Sequence, residues 1–189
     1  MVGYAMCGSF CTLKKAIDEM ERLVLSGIEI QPIMSDMTYS TSTRFGAAED
    51  IRERVEKISG REIIHTIDKA EPLGPKHPLD ALIIAPCTGN TLAKVSLGIT
   101  DTAVTMAAKA HLRQDRPLLI ALSSNDALSQ NLQSLSRLIT RKSVYFVPMT
   151  QDDTVGKPYS LVADTALIPE AYEKMLRGEQ IRPIFLEKA

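Results

Sequence analysis

The chain has 189 residues, a formal net charge of -1, 44% apolar residues, 5% aromatic residues and three cysteines. That length suits one domain, 1–189, with room for a sizeable core. The balanced charge argues against an electrostatic nucleic-acid binder, and the absence of Trp argues against base stacking as the main business. No apolar run approaches the ~20 residues that a membrane span needs. The first residues lack the basic-then-apolar pattern of a signal peptide. An odd set of cysteines with no metal-type spacing fits a reducing cytoplasm and no metal site.

The chain opens on an apolar run, Val2 to Met6, which predicts a strand. Cys7-Gly8-Ser9-Phe10-Cys11-Thr12 follows, and Leu13, Ala16, Ile17, Met20, Leu23 and Val24 then recur at helical spacing. A strand, a small-residue turn and a helix start make an anion site, because the first amides are unsatisfied and the peptide dipoles align there. Gly8 permits close backbone approach, and Ser9 and Thr12 add hydroxyls; the competing reading is ordinary capping. Gly27 suits a helix stop, and Ile28 to Met34 predicts a second strand whose Pro32 suggests an edge. Ser35 to Phe45 is a hydroxyl-rich loop.

Ala47 to Ser59 is helical, with Gly60 as its stop, and Arg61 to Glu71 is ambiguous. Pro72 to Pro78 is a rigid connector. The continuous apolar run within Leu79 to Ala85 suits a parallel strand buried on both faces. Pro86-Cys87-Thr88-Gly89-Asn90-Thr91 is a second polar turn, leading into a short helix that Gly98 ends. Thr102 to Gln114 predicts an Ala-rich helix, and Pro117 to Leu122 a further buried strand that runs into Ser123-Ser124-Asn125-Asp126. A helix over Leu128 to Ile139, a short strand over Val144 to Val147 and a polar loop over Gln151 to Ser160 follow. Thr165 can cap a last helix bearing Ile168, Ala171, Tyr172, Met175 and Leu176, with Gly178 past its end.

Alternating strands and helices predict a three-layer α/β fold with a parallel sheet and right-handed crossovers. Parallel strands place Gly8-Ser9, Ser35, Thr88-Asn90 and Ser123-Asn125 on one sheet edge, where ligands of open α/β sheets bind. The composite pocket is neutral and hydroxyl-rich, which suits a mononucleotide monophosphate better than a triphosphate. No P-loop and no Gly-x-Gly-x-x-Gly fingerprint is present.

Ala85-Pro86-Cys87-Thr88-Gly89-Asn90-Thr91-Leu92-Ala93-Lys94 resembles the Pro-Ala-Ser-Ala-Asn-Thr motif of FMN-binding flavoproteins, a family that includes peptidyl-cysteine decarboxylases and flavin prenyltransferases. Gly98-Ile99-Thr100-Asp101 matches the segment that closes the motif. The resemblance implies a flavodoxin-like (Rossmann-like) fold, bound FMN and a homo-oligomer of trimeric units. Residue by residue, it implies that Gly8, Ser9 and Phe10 meet the FMN phosphate and nearby backbone, and that Ser35 adds a second phosphate-side hydroxyl. It implies that Thr88, Gly89, Asn90 and Thr91 line the flavin, and that Ser123, Ser124 and Asn125 close the pocket. Ser42 to Gly46, Ala70 to Lys76, Ser124 to Leu128 and Gln151 to Asp153 resemble a narrower group within the family. That group implies oxidation of a dihydrodipicolinate-type ring beside a separate NADP-binding partner chain, in the mother-cell cytoplasm of a sporulating bacterium.

Two departures narrow the activity. Where cysteine decarboxylases carry their active-site His, this chain has Glu71-Pro72, and where prenyltransferases carry Arg-Glu it has Ser124-Asn125. Both argue against those reactions, the second because a phosphate-gripping guanidinium is missing. Aromatising a dihydropyridine dicarboxylate needs a hydride acceptor, which flavin supplies, a base, and cationic grips. Arg44 is the best carboxylate grip because its planar fork matches the group; Lys157 is the weaker candidate. Asp126 can take a ring proton or cap the next helix. His65, His77 and His111 read as surface or structural residues, and Cys11 and Cys87 as small side chains beside a phosphate loop. Two readings stay open: a flavin-using oxidoreductase component, and a non-catalytic FMN-binding or scaffold component whose partner carries the oxidation.

Overall fold

A computed structural model describes residues 1–74, 76 and 79–187; His77 and the connector prolines Pro75 and Pro78 lie outside the described residues. The elements follow in chain order: β1 (Val2–Met6), α1 (Phe10–Leu25), β2 (Ile30–Met34), α2 (Asp36–Ser40), α3 (Ala48–Ser59) and α4 (Ile67–Ala70). After them come β3 (Ala81–Cys87), α5 (Gly89–Leu97), α6 (Ala103–Leu112), β4 (Leu118–Ser124), α7 (Leu132–Ile139), β5 (Val144–Phe146), β6 (Met149–Thr150), β7 (Leu161–Ala163) and α8 (Ile168–Leu176).

The sheet runs β2-β1-β3-β4-β7-β6, with β5 also paired to β4. β1, β2, β3, β4 and β5 are mutually parallel where they pair, so the carboxyl ends of β1 to β4 share one edge. Every residue of β1 and β3 is buried, as strands covered by helices on both faces require. Alternation sorts them: Val2, Tyr4 and Met6 pack with Leu13, Ile17 and Met20 of α1, Val55 of α3 and Met175 of α8. Ala5 and Cys7 face the other way, toward Leu92 of α5, Val104 of α6 and Leu135 of α7. The apolar stripe of α1 is therefore what holds the opening turn against the sheet. The Tyr4 hydroxyl, fully buried, donates to Ala16 O at 2.7 Å.

Pro32 does lie on an edge strand, and Gly27, Gly60, Gly98 and Gly178, the expected helix stops, sit at φ 91°, 65°, 73° and 77°. Several bounds differ from expectation. α1 starts at Phe10, directly after Ser9. The hydroxyl-rich loop contains α2, whose N-cap is Ser35. Pro86 lies inside β3, where the register against β4 shifts between Ile84 and Cys87, so its missing N–H interrupts no regular ladder. α7 begins at Leu132, and Asn125 to Gln130 form a turn. The last helix is preceded by a 3-10 turn capped by Asp164 Oδ1, which accepts from Ala166 N; Thr165 is not the cap.

The largest difference is at β4. Ser123 and Ser124, expected in a turn, are strand residues that pair antiparallel with Val162 and Leu161 of β7. β5 covers only Leu118 to Ile120, so β4 extends past it and takes a new partner. Strands this short carry little periodic signal, and β6 and β7 were not legible. Their pairing lays the 151–160 segment beside the third turn, where Leu128 N donates to Tyr159 O at 2.9 Å.

Gly89 sets the distance between the second and third turns. A Cβ there would lie 2.5 Å from Ser124 Oγ and 2.9 Å from Asp126 Oδ1, and closer still to Asn131 Nδ2. Gly89→Ala is expected to cost about 1–3 kcal/mol, the range of overpacking at a closed contact, measured by urea unfolding. An unchanged midpoint would contradict the contact.

His111 is 2% exposed, with Nε2 2.8 Å from Pro117 O and Nδ1 buried without a partner. The carbonyl can only accept, so Nε2 carries the proton. Burial holds the ring's pKa below its ordinary 6.5, with Arg116 opposing the cationic form and the Pro117 carbonyl and Asp80 favouring it. The unfolded chain therefore binds the proton more readily than the folded one. Stability is fully present above pH 6.5 and is lost as pH falls below it; in His111→Gln that slope between pH 7 and 5 should flatten in denaturant titrations.

Candidate functional site

The carboxyl ends of β1, β2 and β3 surround a cavity of about 310 Å³ lined by Cys7, Gly8, Phe10, Ser35, Asp36, Met37, Thr88, Asn90, Thr91, Lys94 and Thr102. It is closed on one side by the N-terminus of α1 and on another by that of α5, so two sets of first-turn amides converge on it. Thr88 caps α5: its Oγ1 accepts from Thr91 N at 3.2 Å and donates to Thr91 Oγ1 at 3.1 Å. Ser35 caps α2, accepting from Thr38 N at 3.3 Å, and its hydroxyl lies 2.9 Å from Thr38 Oγ1.

Ser9 behaves differently. Its side chain makes no cap hydrogen bond to α1. Its Oγ lies 2.8 Å from Ser123 Oγ, and Thr12 Oγ1 donates to it at 3.1 Å. The capping explanation of this serine therefore fails, and its hydroxyl instead ties the first turn to the end of β4. In the third turn Ser124 Oγ donates to Asp126 Oδ1 and receives Asp126 N at 3.4 Å. α7 begins at Leu132, so Asp126 does not cap it.

Of the expected cofactor-binding residues, Gly8, Phe10, Ser35, Thr88, Asn90 and Thr91 line the cavity. Ser9, Gly89, Ser123 and Ser124 form the hydroxyl and glycine contacts that join the turns, and Asn125 is exposed beside them. Arg44 is exposed, with its guanidinium 4.9 Å from the centroid of the Phe45 ring, and does not line the cavity. Lys157 pairs with Asp152 at 3.2 Å. His65 stacks on Tyr39 with ring centroids 3.6 Å apart.

Asp36, Met37, Lys94 and Thr102 were not singled out from the sequence. Lys94 had a readable signal: it follows Asn90 by one helical turn and so shares its face. Its Nζ is 2.7 Å from Asp101 Oδ2, and that hydrogen bond is the first cause holding the Asp101 carboxyl below its usual range. The cation is thus placed by the Gly98 to Asp101 segment that closes the motif. Thr102 had none, because its pattern is that of the capping box it forms with Thr105.

Two buried thiols sit behind the turns. Burial pushes the Cys7 thiol up to about 11, against smaller hydrogen-bond effects from Thr91 and Thr88, and burial also raises Cys87. Both are neutral at pH 7 and act as small apolar fillers. Cys11 is exposed, its Sγ 3.9 Å from Ser9 Oγ. Among the described residues no cluster of His, Cys, Asp and Glu could hold a metal, and no helix is long and apolar enough to cross a membrane. The converging amides, hydroxyls and single placed ammonium suit a phosphate-bearing ligand, and Asn90 and Thr91 offer a polar edge for a ring system.

Comparison with known proteins identifies relatives of the chain. The Flavoprotein family model aligns with residues 1–165. The dipicolinate synthase B subunit of Bacillus subtilis (strain 168) is 43% identical over 186 residues, covering 98% of this chain and 93% of that protein. The crystal structure of the dipicolinate synthase B subunit from Bacillus halodurans C superposes with a TM-score of 0.91 at 40% identity, over 100% of this chain and 96% of that one. AnUbiX (PadA1), solved with FMN and dimethylallyl pyrophosphate, shares the fold at a TM-score of 0.60 and 21% identity, over 78% of this chain and 76% of that one. The chain belongs to the flavoprotein family, and within it is a relative of the dipicolinate synthase B subunits.

Proposed function

We propose that this chain binds FMN in the cleft between β1, β2 and β3 and serves as the B subunit of a dipicolinate synthase. In this reading it works with the NADP-binding A subunit of dipicolinate synthase, as a homo-oligomer of trimeric units in the cytoplasm of a sporulating cell, to oxidise dihydrodipicolinate to dipicolinate. The observation that carries the cofactor assignment is the convergence of the α1 and α5 N-termini on one cavity, beside a Lys94 ammonium held by Asp101. The 43% identity to a dipicolinate synthase B subunit supports the reaction class.

The donor set fits FMN. Gly8 leaves room for a phosphate, since a Cβ there would meet nothing nearer than Phe10 at 3.5 Å. The amides after Ser9 supply positive potential without a basic cluster, and the Lys94 ammonium, its charge balanced by Asp101, can add a hydrogen bond. Asn90 and Thr91, on the first turn of α5, would hold a ring edge by hydrogen bonds. The cofactor supplies hydride acceptance. The chain's own residues bind and orient it: Phe10 and Met37 give apolar walls that exclude water, and the Ser9–Ser123 contact fixes the turn that carries the phosphate amides.

One observation favours the scaffold reading. His65 and His111, the described histidines, are stacked and buried respectively, and Asp126 is bonded by Ser124, which leaves Asp36 as the carboxylate among the described residues that line the cleft. In the scaffold reading the proton leaves through water or through the partner chain; in the oxidoreductase reading Asp36 is the carboxylate placed to take it.

Titration of FMN into the purified protein should quench flavin fluorescence and shift its visible band; no binding would overturn the cofactor assignment. Asn90→Ala is expected to weaken FMN binding by about fivefold, the value of one net hydrogen bond, and unchanged affinity would count against the cleft as described. Mixing FMN-loaded chain with dihydrodipicolinate, with the NADP-binding partner left out, separates the two readings. Bleaching of the flavin in a single turnover supports the oxidoreductase; a flavin that stays oxidised while the complete complex reduces NADP supports the scaffold.

A further inference from the structure

α2 is five residues long, too short to hold itself as a helix in water. Yet α2 and its N-cap supply Ser35, Asp36 and Met37 to the wall of the cofactor cleft. The N-terminal end is fixed from within: Ser35 caps it, Thr38 is fully buried, and Ser35 N donates to Met6 O at 3.0 Å. The C-terminal end leads into residues 41–47, an irregular segment that is exposed or half-buried throughout. What meets that end is a group of three side chains from separate parts of the chain. His65 stacks on the Tyr39 ring, with centroids 3.6 Å apart and planes at 12°. Arg52 of α3 places its guanidinium carbon 4.8 Å from the centroid of the same ring, and its Nη1 donates to the Tyr39 carbonyl at 2.6 Å.

Both partners of Tyr39 are anchored. His65 follows Ile64, whose N–H donates to Pro32 O at 3.0 Å and whose carbonyl accepts from Met34 N at 2.9 Å, so the imidazole is carried by the edge of β2. Arg52 lies on α3, which Val55 packs into the core. Among the described residues Arg52 has no carboxylate partner, so its contacts go to the Tyr39 ring and carbonyl. That carbonyl lies in the last turn of α2, where a helix leaves acceptors unsatisfied and a cation suits the dipole. The Tyr39 hydroxyl has no hydrogen-bond partner among the described residues, so the residue acts through its ring. Tyr39, Arg52 and His65 do not line the cleft themselves.

We propose that Tyr39 is a positioning residue for the cofactor cleft. Stacked on His65 and held by Arg52, it fixes the C-terminal turn of α2, so that Ser35, Asp36 and Met37 keep their places on the cleft wall. The proposal rests on the function proposed above for the identity of the ligand and adds three residues that act on it through α2. Without the stack, α2 spends part of its time displaced, and the apparent affinity for FMN falls with the fraction in place. His65 thereby has a role that depends on its ring and not on its proton.

The test titrates FMN into full-length variants by flavin fluorescence, with unfolding midpoints and hydrogen exchange over residues 36–41 measured alongside. Tyr39→Ala should weaken FMN binding by about fivefold to tenfold, the combined effect of an aromatic pair and a cation–π contact at a partly exposed site. It should also speed exchange at the amides of residues 39 and 41, which donate to Ser35 O and Met37 O. Arg52→Met should weaken FMN binding by about threefold to fivefold. Tyr39→Phe and His65→Phe keep stacked rings and should retain wild-type affinity. Met175→Ala, in the core on α8, should lower the unfolding midpoint and leave FMN affinity unchanged, which separates positioning from a general loss of stability. Wild-type FMN affinity in Tyr39→Ala would overturn the inference. So would a loss in Met175→Ala as large as that in Tyr39→Ala, or losses in Tyr39→Phe and His65→Phe that match it. Failure of the wild type to bind FMN would instead overturn the function on which the inference rests. Exchange in the FMN-free chain then reads the stack by itself, and unchanged exchange over residues 36–41 in Tyr39→Ala would overturn it.

Discussion

Ser9 Oγ lies 2.8 Å from Ser123 Oγ, and these two residues are 114 positions apart. Much else in the site depends on that contact. A serine between a strand and a helix ordinarily caps the helix, and a capped N-terminus has one of its amides already satisfied. Here the hydroxyl is turned across to β4 and satisfies none of the first amides of α1; Thr12 N donates instead to the Ser9 carbonyl, at 3.1 Å. The same contact draws the third turn toward the first, and Gly89 allows the second to approach the third closely enough for Asn131, Ser124 and Asp126 to pack against its Cα. Three strand ends thereby behave as one surface.

The sheet supplies the framework in which such a contact can form. β1 and β3 are buried on both faces and are clamped by α1, α3 and α8 on one side and α5, α6 and α7 on the other. Their carboxyl ends cannot move independently, because each strand packs into both layers. The turn residues can then be small and polar without loss of definition. Cys7 and Cys87 belong to this framework: their neutral, buried thiols fill the space beneath the turns.

Long, strongly patterned stretches were legible in the sequence. β1, β3 and the first part of β4 are continuous apolar runs, α1 has an unbroken stripe, and four glycines marked helix ends that the backbone confirms. From those elements the shared sheet edge and the serine, threonine and asparagine residues on it followed. What was not legible depends on contacts distant in sequence. Ser123 and Ser124 read as turn residues because nothing nearby shows that β7 will pair with them. β6 and β7 are too short to have a period. Arg44 was a reasonable grip by chemistry, but its position over Phe45 and outside the cofactor cleft is set by how the 41–47 segment leaves α2. Lys94 was overlooked because a lysine on a helix is usually solvated, and only its 2.7 Å pairing with Asp101 fixes it at the cavity wall.

The central claim is that the first and second turns, locked by the third, hold FMN in the cleft between β1, β2 and β3. The most direct measurement is a crystal structure of the chain grown with FMN. It should show the phosphate against the amides of Gly8 and Phe10 and the flavin ring beside Asn90 and Thr91. FMN bound elsewhere on the chain, or an ordered cleft that stays empty of flavin at saturating FMN, would contradict it.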